Sequence, residues 1–341
     1  SKSKKINEYF IERGLSENTI QNFSLGYSNN LKNEFYNSAI NNGFSDNYII
    51  ETGLVIDSEN NKIDRFRGRI IFPIKSISGR VLGFGGRTLD SNKKIAKYIN
   101  SPESKIYNKS KILFGIYESK QFIVKDDHCL LVEGYMDVIQ LHQNGIKNVL
   151  ASSGTSLTKD QIILIKRLST NITIIFDSDK AGIAAAHRSV DMILEEGMNV
   201  KVCLLPDGED PDSFVKKNGK ESMLEYIKKE SKNFIDFKIN SNQEAFHDED
   251  RKVSLIKDIL RSISLISDRI KQEVYVKKLS NTFEIEESSL FRSLSNIGLS
   301  KNYNKKPIKL KGNKISKVVN SSKIDPSSYI FQLERQIISI L

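Results

Sequence analysis

The stretch from Cys129 to Leu205 constrains this chain most. Short apolar runs, Cys129–Val132, Asn148–Ala151, Ile172–Phe176 and Val200–Leu205, alternate there with segments of helical period. The helical segments are Met136–Gln143, Lys159–Leu168 and Ala181–Glu196. Gly145 and Gly197 stop two of them, and Thr158 with Gln161 fits a capping box at the start of the third. Short strands joined by helices need right-handed crossovers, which build a mostly parallel sheet. In such a sheet the ligand crevice lies just outside the carboxyl ends of the strands. The residues just after each apolar run therefore matter more than those within it.

After three of the four runs those residues are acidic. Glu133 comes directly after the first run, Asp177 and Asp179 after the third, and Asp210 and Asp212 after the fourth, beyond a Pro206-Asp207-Gly208 turn. Acids after strands can be plain turn or cap residues, and Asp179 stands where it would cap the helix beginning at Ala181. Five of them on three strand ends would repel one another, and divalent cations are the natural neutraliser. Oxygen-only donors suit Mg2+ or Mn2+, and with no His or Cys nearby zinc is not expected. The cysteines, Cys129 and Cys203, are far apart, so neither a disulfide framework nor a CxxC zinc site is expected. A reducing, cytoplasmic compartment fits that usage.

The flanks read differently. Residues 1–60 read as short helices, with Leu15–Phe23 and Asn47–Leu54 at helical spacing. Residues 66–87 read as strands: Arg69–Ile74, a Ser78-Gly79 turn, then Arg80–Phe84. Residues 221–297 read as helices alone, Val253, Ile256, Leu260 and Ile263 recurring at periods of three and four. Residues 300–328 offer little to bury and read as a Lys-rich linker, and residues 329–341 as the start of a further domain. The expected architecture is α/β: an α+β N-terminal subdomain over 1–116, a central parallel-sheet domain over 117–220, and a helical subdomain over 221–299. No apolar run approaches the roughly 20 residues of a membrane span, so no membrane partner is expected.

Charge is unevenly spread. The net charge is +10, and residues 301–324 alone hold eight lysines and no acid. Residues 62–111 carry thirteen Lys or Arg against three acids, whereas residues 117–235 carry fifteen against eighteen. A basic block beside an acidic one suits phosphate on one side and divalent metal on the other. Arg65, Arg67 and Arg69 alternate, and if Arg65–Ile74 is extended they share one strand face. Arg87 ends the next strand, and Lys97 and Lys109 come after it. One basic face can track a single-stranded template or hold a nucleoside triphosphate; it can equally be a solvated face paired with carboxylates. Gly83-Phe-Gly-Gly86 lacks dinucleotide-binding spacing, so its glycines serve close packing or a tight turn.

Three motifs carry a resemblance. Glu133-Gly-Tyr-Met-Asp137, Phe176-Asp-Ser-Asp-Lys-Ala-Gly182 and Leu205-Pro-Asp-Gly-Glu-Asp-Pro-Asp212 are similar to the acidic motifs of Toprim domains, in the form found in DnaG-type bacterial replicative primases. Arg13-Gly-Leu-Ser16, Asp64–Ile74, Gly83–Arg87 and Lys97–Glu103 resemble the same family in order and spacing. Ser178 departs from the glycine usual between the two aspartates, which leaves the ligands themselves in place. The resemblance implies a DNA-dependent RNA polymerase that makes short primers on single-stranded DNA at the bacterial replication fork. Glu133, Asp177, Asp179, Asp210 and Asp212 would bind two or more Mg2+ or Mn2+ ions, with Asp137 supporting them. A general-base role for Glu133 ranks second. Arg87, Lys97, Asn100 and Lys109 match the template and nucleotide groove. Implied partners are ribonucleoside triphosphates, the replicative helicase through the domain starting near Tyr329, and single-stranded DNA-binding protein; a monomer is expected. The family's zinc-binding module has no counterpart here, and the start at Ser1 without Met suggests a trimmed chain. The competing readings are another Toprim enzyme, a topoisomerase or nuclease, and a non-catalytic module that binds nucleic acid or helicase.

Overall fold

The computed structural model describes residues 9–58, 61–90, 94–154 and 156–304. Its N-terminal part holds α1 (Glu17–Asn22), β1 (Gly26–Ser28), α2 (Glu34–Asn41), α3 (Asp46–Glu51) and a hairpin of β2 (Val55–Ser58) and β3 (Asn61–Asp64). Ser16 starts α1 by accepting a hydrogen bond from the Thr19 N–H. β4 (Arg69–Lys75), β5 (Val81–Thr88) and β6 (Tyr98–Asn100) come next, and the order β1-β4-β5-β6 makes an antiparallel sheet. β1 and β2 fall where only helices were expected. β1 has no fully buried residue, so no alternation betrays it in the sequence.

The β5 glycines are there for contact. A Cβ at Gly83 would stand 2.8 Å from the Tyr107 ring, at Gly85 2.6 Å from the Tyr135 ring, and at Gly86 2.5 Å from the Phe66 ring. No side chain fits in such gaps, so close packing is the reason for the motif.

From α4 (Ile116–Asp126) onward the expected alternation is realised within a residue or two. It runs β7 (Cys129–Val132), α5 (Tyr135–Gln143), β8 (Val149–Ala151), α6 (Lys159–Lys166), β9 (Asn171–Phe176), α7 (Lys180–Glu195), β10 (Asn199–Leu204) and α8 (Pro211–Glu230). The Thr158–Gln161 capping box forms as the spacing predicts. β7 and β8 are buried at every position, which is why they read as unbroken apolar runs. The sheet order is β11-β10-β9-β7-β8, with β7 to β10 parallel and β11 (Lys232–Asn233) antiparallel to β10. β11 corrects the all-helical reading of residues 221–297; two polar residues leave no period to detect.

α8 breaks at Gly219, whose φ of 81° and ψ of 177° are non-helical. The helices α9 (Phe234–Asn240), α10 (Glu249–Ile263), α11 (Arg269–Phe283) and α12 (Glu287–Asn304) then close one side of the sheet. Ile256, Leu260 and Ile263 of α10 are buried in one cluster with Ile193 of α7, whereas Val253 is 48% exposed. Lys238 of α9 is buried, its ammonium 2.7 Å from Asp258 Oδ2 and 3.3 Å from Asp191 Oδ1 of α7. The protein is thus mixed α/β with a parallel central sheet. α12 runs on to Asn304; the rest of the expected linker and the expected domain at 329–341 lie outside the described residues. Among the described residues no helix is long and apolar enough to cross a membrane.

Candidate active site

The parallel sheet delivers its acids to one place. Glu133 leaves the end of β7 and Asp177 the end of β9. Asp179 caps α7, its Oδ1 accepting from the Gly182 N–H at 2.7 Å. Asp210 caps α8 in the same way, its Oδ1 accepting from the Ser213 N–H at 2.7 Å, with Pro211 opening the helix. The capping role is therefore real for both, yet each cap uses one oxygen of the two. Asp212, in the first turn of α8, takes the Arg13 Nη1 on Oδ2 at 2.9 Å. Asp137 bridges two of these loops: its Oδ2 accepts from the Gly134 N–H at 2.9 Å and its Oδ1 from the Asp212 N–H at 3.3 Å. All six carboxylates line one cavity of about 1110 Å³.

The electrostatics mark this edge as undercompensated. Desolvation raises the Glu133 carboxyl above its ordinary value, and the Asp177 and Asp179 charges add to it. Asp177 is raised by desolvation, then by Asp210 and Asp179. Asp212 is raised by burial despite the nearby Arg13 guanidinium. Asp137 is pushed up to about 8, chiefly by burial, with Asp210 and Asp212 adding and the Gly134 N–H opposing. Hard oxygen donors with unneutralised charge fit Mg2+ or Mn2+. Among the described residues no three of these groups stand close enough to enclose an ion unaided.

The basic residues divide into two sets. Lys97, Asn100 and Lys109 line the same cavity as the acids. Asn100 is held rigidly, its Nδ2 donating to the Ser153 carbonyl at 3.0 Å and its Oδ1 accepting from the Tyr135 hydroxyl at 2.7 Å. Arg87 lines a neighbouring cavity of about 830 Å³ with Tyr9, Arg13, Lys97 and Lys216. Its guanidinium lies 4.8 Å from the Tyr9 ring centroid, and its buried Nε–H has no hydrogen-bond partner among the described residues.

Arg65, Arg67 and Arg69 do not share a strand face, because residues 65–68 turn between β3 and β4. Gly68 takes φ +69° there and donates to the Ser28 carbonyl at 2.8 Å. Arg65 Nε donates to the Gly53 carbonyl at 2.6 Å, and Arg67 is exposed on the turn. Arg69 is buried, its Nη1 within 3.0, 3.2 and 3.4 Å of the Ala96, Gly86 and Lys97 carbonyls. None of the three lines either cavity. Sequence reasoning missed Arg13, Tyr9 and Lys216 as site residues. Arg13 stands in the Arg13-Gly-Leu-Ser16 motif, but only the folded chain places it on Asp212.

The acid edge and its parallel sheet define a Toprim-like class, and the family model of that description matches residues 130–215. On either side, the N-terminal domain of the DNA primase catalytic core matches residues 1–120, and the DnaB-helicase binding domain of primase matches residues 235–288. The chain is 38% identical over 331 residues to a DNA primase of Clostridium acetobutylicum, covering 96% of this chain and 52% of the relative. The solved E. coli primase catalytic core superposes with a TM-score of 0.75 at 33% identity, covering 83% of this chain and 92% of that one. A DnaG primase catalytic domain bound to single-stranded DNA gives 0.74 at 33% identity, covering 82% and 91%. The chain belongs to the DnaG family of primase catalytic cores. It spans about half the length of the curated relatives it matches. The helicase-binding match falls on the bundle that contains α10 and α11.

Proposed function

We propose that this chain is the polymerising core of a primase, joining ribonucleotides on a single-stranded DNA template. The observation that carries the reading is one cavity holding carboxylates from three strand ends together with Lys97 and Lys109. In the reaction a 3′-hydroxyl attacks the α-phosphate of a ribonucleoside triphosphate and pyrophosphate leaves. Divalent ions bound at this edge would lower the hydroxyl's pKa and offset charge on the leaving group. Glu133 and Asp177, with the uncapped oxygens of Asp179 and Asp210, are the donors for two or more Mg2+ or Mn2+ ions. Asp212 joins them through the oxygen not taken by Arg13. Asp137 is a positioning residue, fixing the Gly134 and Asp212 backbone beside two of the donors. Lys97 and Lys109 bind phosphate, Asn100 is preset by Tyr135, and Arg87 binds the template backbone from the neighbouring cavity.

The family matches support a division into 1–116, 117–220 and 221–299, with the replicative helicase as partner of the helical part. The test is incorporation of labelled ribonucleotides on single-stranded DNA with Mg2+ or Mn2+, with and without chelator, alongside Glu133→Gln. RNA that needs the metal and vanishes in the variant is expected. Cleavage or relaxation of DNA without RNA would replace this reading with a nuclease or topoisomerase.

A further inference from the structure

The acids share the cavity with one face of a helix that the proposed chemistry uses only through its capping residue, Asp179. Ala181, Ala185, Arg188 and Met192 of α7 all line the cavity, at the i, i+4, i+7, i+11 spacing of a single helix face. Arg188 is exposed, and no hydrogen bond or ion pair engages its guanidinium among the described residues. The acid that could pair with it on the next turn, Asp191, is committed elsewhere. Its Oδ1 takes the Ser262 hydroxyl at 2.6 Å and the buried Lys238 ammonium at 3.3 Å. The fold therefore spends Asp191 on α9 and α10 and leaves a free cation on the cavity wall. By contrast Arg13, on the other side of the acids, is tied to Asp212.

The spacing suggests what that cation meets. Arg188 is nine residues beyond Asp179 on the same helix, about 13 Å along the axis at about 1.5 Å per residue. That exceeds a single base step of about 3.4 Å several-fold. Lys109, Ser156 and Leu157 also line this cavity. We propose that Arg188 holds a backbone phosphate of the RNA–template hybrid away from the growing 3′ end. This rests on the polymerase reading and assigns the α7 wall as the path of the product. The phosphate could instead belong to an incoming triphosphate, and the two sources separate experimentally.

The experiment compares the unaltered chain with Arg188→Ala and Arg188→Lys. Affinities are measured by fluorescence anisotropy for a preannealed RNA–DNA hybrid with a template overhang, and separately for ATP with Mg2+. Product lengths are read from labelled synthesis. Arg188→Ala should weaken hybrid binding five- to tenfold, with Arg188→Lys between it and wild type. The slope of log affinity against log salt should fall by about 0.9, the value of one phosphate contact. The longest products should drop relative to di- and trinucleotides. Unchanged hybrid binding, an equal loss at the dinucleotide, or a matching loss of ATP affinity would each overturn the assignment. Wild-type chain that makes no RNA at all would instead bring down the polymerase reading, and this one with it.

Discussion

The two sheets of this protein use their charged residues in opposite ways. The parallel sheet ejects its acids at strand ends, where each is succeeded by a loop or a helix N-terminus that satisfies at most one carboxylate oxygen. Glu133 is raised by desolvation and then by the Asp177 and Asp179 charges, and Asp177 by desolvation and then by Asp210 and Asp179. The antiparallel part absorbs two of its arginines instead. Arg69 disappears into backbone carbonyls and Arg65 into the Gly53 carbonyl. A charge that costs the fold something is available for chemistry, and a charge that completes the fold is not.

The largest expected effect tests the first half of that contrast. Asp177→Asn should lower ribonucleotide incorporation about a thousandfold, about 4 kcal/mol of barrier. The thermal midpoint of the metal-free protein should hold or rise, because the substitution removes a repelled charge. A fall of several degrees together with lost activity would mean that Asp177 is structural, and the contrast would break. Calorimetry and primer synthesis on the same preparation decide it.

The second half predicts the reverse pattern. Arg69→Ala removes a buried guanidinium together with its hydrogen bonds to the Gly86, Ala96 and Lys97 carbonyls and should cost about 2 kcal/mol of stability. Arg67→Ala, on the exposed turn, should cost almost none. Denaturant midpoints read both. If the two variants lose stability equally while only Arg69→Ala loses template affinity, then Arg69 reaches nucleic acid after all.

This difference also sets what can be read from the sequence. A parallel strand is an apolar run whose end is visible, so the placement of Glu133, Asp177 and Asp210 is legible in the sequence, and the α/β alternation with it. The antiparallel part offers no such marker. Its first strand is three half-buried residues, and the turn at 65–68 depends on Gly68 bonding to Ser28, forty positions earlier in the chain. Whether an arginine faces solvent or carbonyls is decided by those distant partners, which is why Arg65, Arg67 and Arg69 look alike in the sequence. Arg13 shows the same limit, since its carboxylate lies 199 residues away. The β5 glycines sit between the extremes: that they allow close packing was legible, but that Gly85 packs on Tyr135, the residue that presets Asn100, was not.

The smallest effect concerns the seam where the two parts meet. His142 of α5 lies edge-on to Phe23, just after α1, with ring centroids 5.2 Å apart. Its Nε2 is 2.8 Å from the Ser119 hydroxyl of α4. Burial, then the Lys147 charge, push its pKa down to about 4. The unfolded chain takes up this proton near the ordinary histidine value of about 6.5, so between there and about 4 the unfolded state binds more protons. Stability from this site is therefore complete above about pH 6.5 and drains as the pH falls towards 4, by about 2 kcal/mol at pH 5. His142→Gln should flatten that slope, seen as a denaturant midpoint that no longer drops as steeply between pH 7 and 5. If the slope survives unchanged, acid sensitivity lies in other groups and the seam is not a separately titrating unit. A flattened slope with unaltered synthesis at pH 7 would show that the seam holds the two sheets together without taking part in the chemistry of either.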